Sequence, residues 1–369
     1  MKHLICIACV LPLLVGCSTD MDMYLPVTGI ISEGDTYIDF CAFSPDGKKI
    51  ATKDSDNNTQ IWDADTGEEL KKWDGRIPRT FFPDGKKIAG VAMDGTALVL
   101  DVESGRELYK SGRLFAISPD GKRIAANSMD NAVQIWDTES WEQLHNLEGH
   151  TAFFSPDGQK IITHGTVGGN KGAVRVWDVD SGRELSGFKG RTPRFFPDGK
   201  KIVTTVEGVD PIHTRIWDAD SGKELQKLAG PFVDVSSDGK KIITHQFRAD
   251  RVWDVESGRE LYKLEGYRAR FSPCGEKLVT TSGETVRIYD AKSGQELHKA
   301  NGAIVFYTFM PGGTKIIVLG ADKTVQILDA ESGKVLQRLE GKYGNCSSDG
   351  KKIAMLPWGK GAVRILNLE

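Results

Sequence analysis

The chain has 369 residues, 27% of them charged and 39% hydrophobic, with a formal net charge of -3. These are the proportions of a soluble globular protein with ample material for a large core. The charge balance lacks the basic excess of nucleic-acid-binding domains, so nucleic acid is not an expected partner.

The first sixteen residues differ from the rest. Lys2 precedes a twelve-residue apolar run, Leu4 to Val15, which is too short to span a bilayer as a helix. Small residues follow at Gly16-Cys17, the pattern of an export signal. Leu14-Val15-Gly16-Cys17 resembles the lipobox of bacterial lipoproteins. That resemblance implies cleavage before Cys17, lipidation of Cys17 and anchoring of the mature chain to a membrane. Ser18 stands where aspartate would hold a lipoprotein at the inner membrane, which implies the outer membrane and the periplasmic side if the cell is Gram-negative. An ordinary signal peptide is the alternative. The expected organisation is therefore a signal at 1–16, a lipidated cysteine and tether at 17–26, and one domain at 27–369.

Six cysteines are present, and Cys6 and Cys9 lie in the signal. Cys41, Cys274 and Cys346 are too few and too scattered for a disulfide framework. Cys41 and Cys346 fall on equivalent strands of the first and last units described next. Two buried thiols or a bridge between them both fit that placement.

From residue 27 onward one unit is written nine times. Residues 118–149 show its parts in order. "SPDGKR" is a tight turn: Pro119 presets a backbone angle, Asp120 bonds nearby backbone and Gly121 accepts positive φ. "IAANS" is a strand, "MDN" a second turn, and "AVQIWD" alternates apolar and polar residues as a strand does. "TESWEQLHNLEG" supplies a third turn and a polar fourth strand fit for a sheet edge. The Trp-Asp position recurs every 36 to 41 residues, at Trp62-Asp63, Leu100-Asp101, Trp136-Asp137, Trp177-Asp178, Trp217-Asp218, Trp253-Asp254, Tyr289-Asp290, Leu328-Asp329 and Leu366-Asn367. Four short strands per unit of about 40 residues predict an all-β propeller, with strands a to d in each blade.

Two anchors in register, the Pro-Asp-Gly turn and the Trp-Asp pair, make residues 27–369 resemble the WD40 family. The resemblance implies a rigid protein-interaction ring whose d–a and b–c loops gather on one face around a channel. The family's buried His, Ser/Thr, Asp and Trp set is incomplete in every unit. Gly-His occurs once, at Gly149-His150, and the b–c turn aspartate only at Asp56, Asp94, Asp130 and Asp322. Apolar packing and other polar pairs must therefore hold the blades.

The count of units gives nine blades, with eight blades and one divergent unit outside the ring as the alternative. The last unit has no strand d, and Val27 to Asp35 aligns with a strand d that has no blade. That segment is expected to complete the last blade and close the ring.

The candidate binding residues follow from the loops. Arg76, Arg79, Arg113, Arg191, Arg194, Arg268, Arg270, Lys342 and His150 recur in the d–a loops. A ring of guanidiniums suits an acidic partner, a phosphate or a carboxylate. Arg79, Arg194 and Arg270 lie near strand a, where pairing with carboxylates between blades is the structural alternative. Trp358 in "LPWGKG" reads as an interface aromatic or as packing on a neighbouring blade. The b–c loops near His164 and His213 vary most and are candidate recognition loops. The histidines have no metal-ligand spacing, and neither GxSxG nor a phosphate loop is present. No metal, cofactor or catalytic residue is expected. The expected function is a monomeric, lipid-anchored, non-catalytic scaffold for a protein of the cell envelope. A binder of an anionic small molecule or glycan, and a lactonase- or hydrolase-type propeller enzyme, are the other readings.

Overall fold

A computed structural model describes residues 38–368 except 75, 129–131, 168–169, 207–211, 302–303, 357 and 359–362. Every regular element among the described residues is a β-strand. The strands form nine antiparallel sheets, each a meander in sequence order. Blade 1 comprises Ile38–Phe43, Lys49–Asp54, Thr59–Asp63 and Glu69–Trp73, and the later blades repeat it. Eight sheets have four strands. The ninth has three described strands, Lys342–Cys346, Lys352–Leu356 and Arg364–Asn367. The segment expected to complete it, 27–35, lies outside the described residues, as does Cys17.

First strands of neighbouring blades touch one another, so strand a lines the ring's centre and strand d its rim. The burial pattern agrees. Strand b reads iBBB in blade after blade, whereas strand d is mostly exposed. Strand b is buried on both faces, which explains its continuous apolar run. Its successive side chains point to opposite neighbours. Ile50 packs towards blade 9, and Ala51 packs towards blade 2.

The core is accordingly divided into nine clusters, one in each seam between adjacent blades. The seam between blades 9 and 1 is among them, joining Ala354, Leu356 and Val363 to Ile38, Ile50 and Trp62. A polar clamp also repeats across seams. The cation opening strand b reaches an acid in the next blade's c–d turn, as Arg123 to Asp180 (2.8 Å) and Lys160 to Asp220 (3.0 Å). Lys352 of blade 9 does the same to Asp65 of blade 1 at 2.7 Å. All nine units are thus inside one closed ring, which decides between nine blades and eight. Cys41 and Cys346 are buried and form no disulfide.

Candidate functional site

Each anchor of the repeat has a physical task. In the a–b turn, Ser44 Oγ donates to Asp46 Oδ1 (2.6 Å) and accepts from Lys49 N (2.9 Å), and Gly47 takes φ +69°. The aspartate of each Trp-Asp pair caps the c–d turn. Asp63 accepts the Thr66 N–H and hydroxyl, and Asp137, Asp178, Asp218, Asp254 and Asp290 each accept a serine hydroxyl as well as a backbone N–H. These bonds hold all six carboxyls below their ordinary range.

The tryptophan's partner is the strand-b threonine of the four-residue set. Five residues after the turn glycine, strand b carries Thr52, Thr163, Thr204 and Thr244. Each hydroxyl accepts the indole N–H of its own blade, from Trp62, Trp177, Trp217 and Trp253, at 2.8–2.9 Å. Thr163 and Thr244 then donate to carbonyls at the end of the preceding strand d, Glu148 O and Ala229 O, both at 2.6 Å. Blade 7 varies the scheme: Thr280 and the Tyr289 hydroxyl both donate to Glu265 O. Where the Trp position is Leu100, Leu328 or Leu366, the threonine is replaced by Gly90, Val318 or Met355. Blade 3 breaks the rule, with Ala126 opposite Trp136, and the Trp136 Nε1 is buried without a partner. These pairs are the Ser/Thr and Trp half of the four-residue set, kept where its His and Asp are missing. Asp94 and Asp322 are exposed and cap their own turns through Thr96 and Thr324, and Asp54, rather than Asp56, does so in blade 1. Asp130 lies outside the described residues.

Antiparallel pairing puts the b–c turns and d–a connections at one end of the ring and the a–b and c–d turns at the other. The two ends differ. The exposed large hydrophobic residues away from the outer strands are Met93, Ile212, Phe247, Tyr267, Val305 and Trp358, and all of them lie at the b–c/d–a end. The exposed cations Arg113, Arg191, Arg248, Arg268 and Lys323 lie there too. The opposite end has exposed cations too, among them Lys48, Arg106, Arg183 and Arg259, but its large hydrophobics are not exposed.

Of the candidate residues, Arg113, His150, Arg191, Arg268 and Trp358 are exposed at this end. The side chain of Arg76 is outside the described residues. Trp358 combines both readings of it: 45% of its surface is open, its Nε1 donates to Lys323 O (2.9 Å), and two ammoniums flank its ring. Lys342 and Lys323 stand 5.2 and 5.4 Å from the ring centre, within cation–π range. Trp141 lies at the other end, stacked on Tyr109 with ring centres 5.5 Å apart.

Inside the channel, equivalent strand-a positions of blades 5, 6 and 7 hold Arg194, Asp234 and Arg270. Burial pushes the Asp234 carboxyl above its ordinary range, against the pull of the Phe271 N–H (2.9 Å), Arg270 and Arg194. Burial lowers Arg194, and repulsion from Arg270 lowers it further. Arg194 nonetheless keeps an exposed surface. Both hold in a narrow channel, where water reaches the side chain but protein crowds it. The charges of both guanidiniums favour the Asp234 carboxylate across the two seams. Burial lowers Arg79, and repulsion from Arg113 of the next blade lowers it further.

The histidines take separate structural places. His145 and His298 reach carbonyls of the next blade, Asp180 O (3.0 Å) and Glu331 O (2.5 Å). His245 Nδ1 meets Asp250 Oδ1 at 2.7 Å. Burial holds His164 below its ordinary range. Among the described residues no group of three His, Cys, Asp or Glu could hold a metal ion, and no helix is long and apolar enough to cross a membrane.

Comparison with known proteins agrees with this architecture. The family described as "WD domain, G-beta repeat" matches residues 111–137, the third unit. A solved structure titled "Crystal structure of the eukaryotic initiation factor" superposes with a TM-score of 0.69 over 86% of this chain and 90% of that one, at 16% identity. That identity speaks for the fold alone. No match was found among curated proteins. The protein is a nine-bladed β-propeller that carries a WD40 repeat.

Proposed function

We propose that this propeller is a non-catalytic protein-interaction scaffold, and that its b–c/d–a end is the working face. The observation that carries the reading is the segregation of the exposed large hydrophobics outside the rim strands onto that end, where Arg113, Arg248 and Arg268 are also exposed. Interfaces use aromatic and arginine anchors in this way. The segment ending at Cys17 supports a lipid anchor in a bacterial envelope, so that the partner would be an envelope protein. Crosslinking and pull-down of the native protein from its own membranes tests both parts. The variant with Arg76, Arg191 and Arg268 reversed to glutamate is carried alongside. One dominant envelope protein, lost in the folded variant, is the expected result; undiminished capture by the variant refutes the assigned face. Mass spectrometry of the mature chain is expected to show a lipidated Cys17 at its start.

A second reading has its own observation. The crowded channel cations Arg79, Arg113, Arg194 and Arg270 share few anions, which favours a small anionic ligand or glycan acid. Thermal shift with carboxylates and phosphates checks it, and no shift at millimolar ligand refutes it.

A further inference from the structure

We propose that the Phe247–Arg248 turn of blade 6 and the Tyr267–Arg268 start of blade 7 form one docking subsite for an acidic, apolar-bearing segment of a partner protein. The proposal rests on the scaffold reading above and adds where on the face the partner is gripped, and by what chemistry.

The turn is unusual for the fold. Gln246 pairs with Ala249, so Phe247 and Arg248 form a two-residue hairpin loop with φ of +51° and +65°. Such loops favour Asn-Gly or Asp-Gly, because a side chain at positive φ is strained. Phe247 is 83% exposed, so burial of the ring within the ring of blades does not offset that strain. Arg268 also has positive φ, +61°, which puts three of the seven non-glycine positive-φ residues among the described residues in this one place. Backbone held in sparsely populated regions clusters at recognition sites.

The two pieces are locked side by side. Ala249 bridges to Gly266, immediately before Tyr267. The fully buried Asp250 accepts the Ala269 N–H (2.6 Å) and meets His245 (2.7 Å), tying the hairpin to the next blade's first strand. The Tyr307 hydroxyl, from blade 8, donates to the Arg268 carbonyl. The platform is therefore preorganised across three blades, which lowers the ordering cost of binding.

Its chemistry selects the occupant. Phe247 and Tyr267 are exposed aromatics, and Arg248 and Arg268 are exposed cations with no ion pair among the described residues. The acids close by in sequence are already used: Asp250 points inward, and Glu265 pairs with Arg287 at 2.8 Å. Two cations and two aromatics, against the one exposed acid Glu284 of the adjoining blade-7 turn, are complementary to carboxylates interleaved with apolar side chains.

The test selects a random peptide display library on the full-length protein and measures the enriched peptides by fluorescence anisotropy. Three proteins are compared: the parent, F247N/R248G and R113E/R191E. Asn-Gly suits the turn, so F247N/R248G is expected to unfold at equal or higher urea and yet to bind at least about tenfold more weakly. Enriched peptides rich in Asp or Glu with Phe, Leu or Trp, weakened by F247N/R248G more than by R113E/R191E, are the expected result. Peptides weakened only by R113E/R191E overturn the subsite and leave the scaffold reading standing. No enrichment overturns both. Binding to phosphatidylglycerol vesicles without any peptide enrichment also overturns the proposal, in favour of a lipid surface.

Discussion

Replacing Thr163 by Val tests the threonine–tryptophan pairing most directly. The side chains have the same shape, so packing in the seam between blades is kept. Thr163 and Trp177 are both buried, and the substitution removes the acceptor of a 2.9 Å indole N–H bond. It also removes the donor to Glu148 O. A buried N–H left without a partner costs about 1–3 kcal/mol, and the extra apolar methyl returns only part of that. A net loss of about 1–3 kcal/mol is therefore expected. Urea unfolding followed by tryptophan fluorescence and by circular dichroism measures it, with coincidence of the two probes as the check on cooperativity. Trp177→Phe, alone and combined with the first change, completes a double-mutant cycle. A coupling of about 0.5–3 kcal/mol is expected for groups in direct contact. A loss below about 0.5 kcal/mol with no coupling would refute the view that this pair holds the blade.

Four further outcomes follow from the same structure. Ala126→Thr gives the orphaned Trp136 N–H an acceptor and should raise stability by up to about 1 kcal/mol; a lower urea midpoint would show that the seam lacks room. Lys352→Ala removes the clamp to Asp65 and to Gly47 O at the closing seam, and should cost about 0.5–1.5 kcal/mol by the same assay, where no change would show the clamp to be idle. Deleting residues 27–32 should lower the thermal midpoint, and an unaltered melt would remove the assigned role of that segment. Stability should also fall on acidification. The c–d turn carboxyls are held low in the folded state, so the unfolded chain takes up protons first. Their contribution is full above the unfolded value of about 3.9 and is lost as pH falls through the lower folded values. Asp234 and Asp250 are raised and act with the opposite sign, weakening the fold as pH rises through their folded values. A urea midpoint that rises from pH 3 to pH 5 is expected, and a flat profile would contradict the turn assignment.

The ring was legible because its anchors are local. Asp120-Gly121 and Trp136-Asp137 announce a turn and a strand end without reference to anything distant, and repetition does the rest. The threonine partners stood at a fixed offset from the turn glycine, but only the family resemblance, not the spacing to the tryptophan, marked that position. Hairpin length varies, so the Thr-to-Trp separation runs from 9 to 14 residues. The number of blades needed the seam between the first and last units, which no local pattern contains. The working end was only half legible. Its arginines recur and can be counted, but Phe247-Arg248 carries none of the glycine or asparagine that marks a tight hairpin. Asp250 looks like an ordinary polar residue of an alternating strand, and only the fold shows that it is buried and joins two blades.

The alternation of strand b gives the molecule an address system. Because Ile50 and Ala51 serve different neighbours, the parity of a residue names the seam that it edits. A single methyl removed from one parity loosens one junction and leaves the adjoining one intact. Nine junctions in a closed loop also share any load, so a pull on the ring is resolved at the weakest of them. The junction where Trp136 lacks its acceptor is a natural place for the first crack, and the others would then unzip as an open arc.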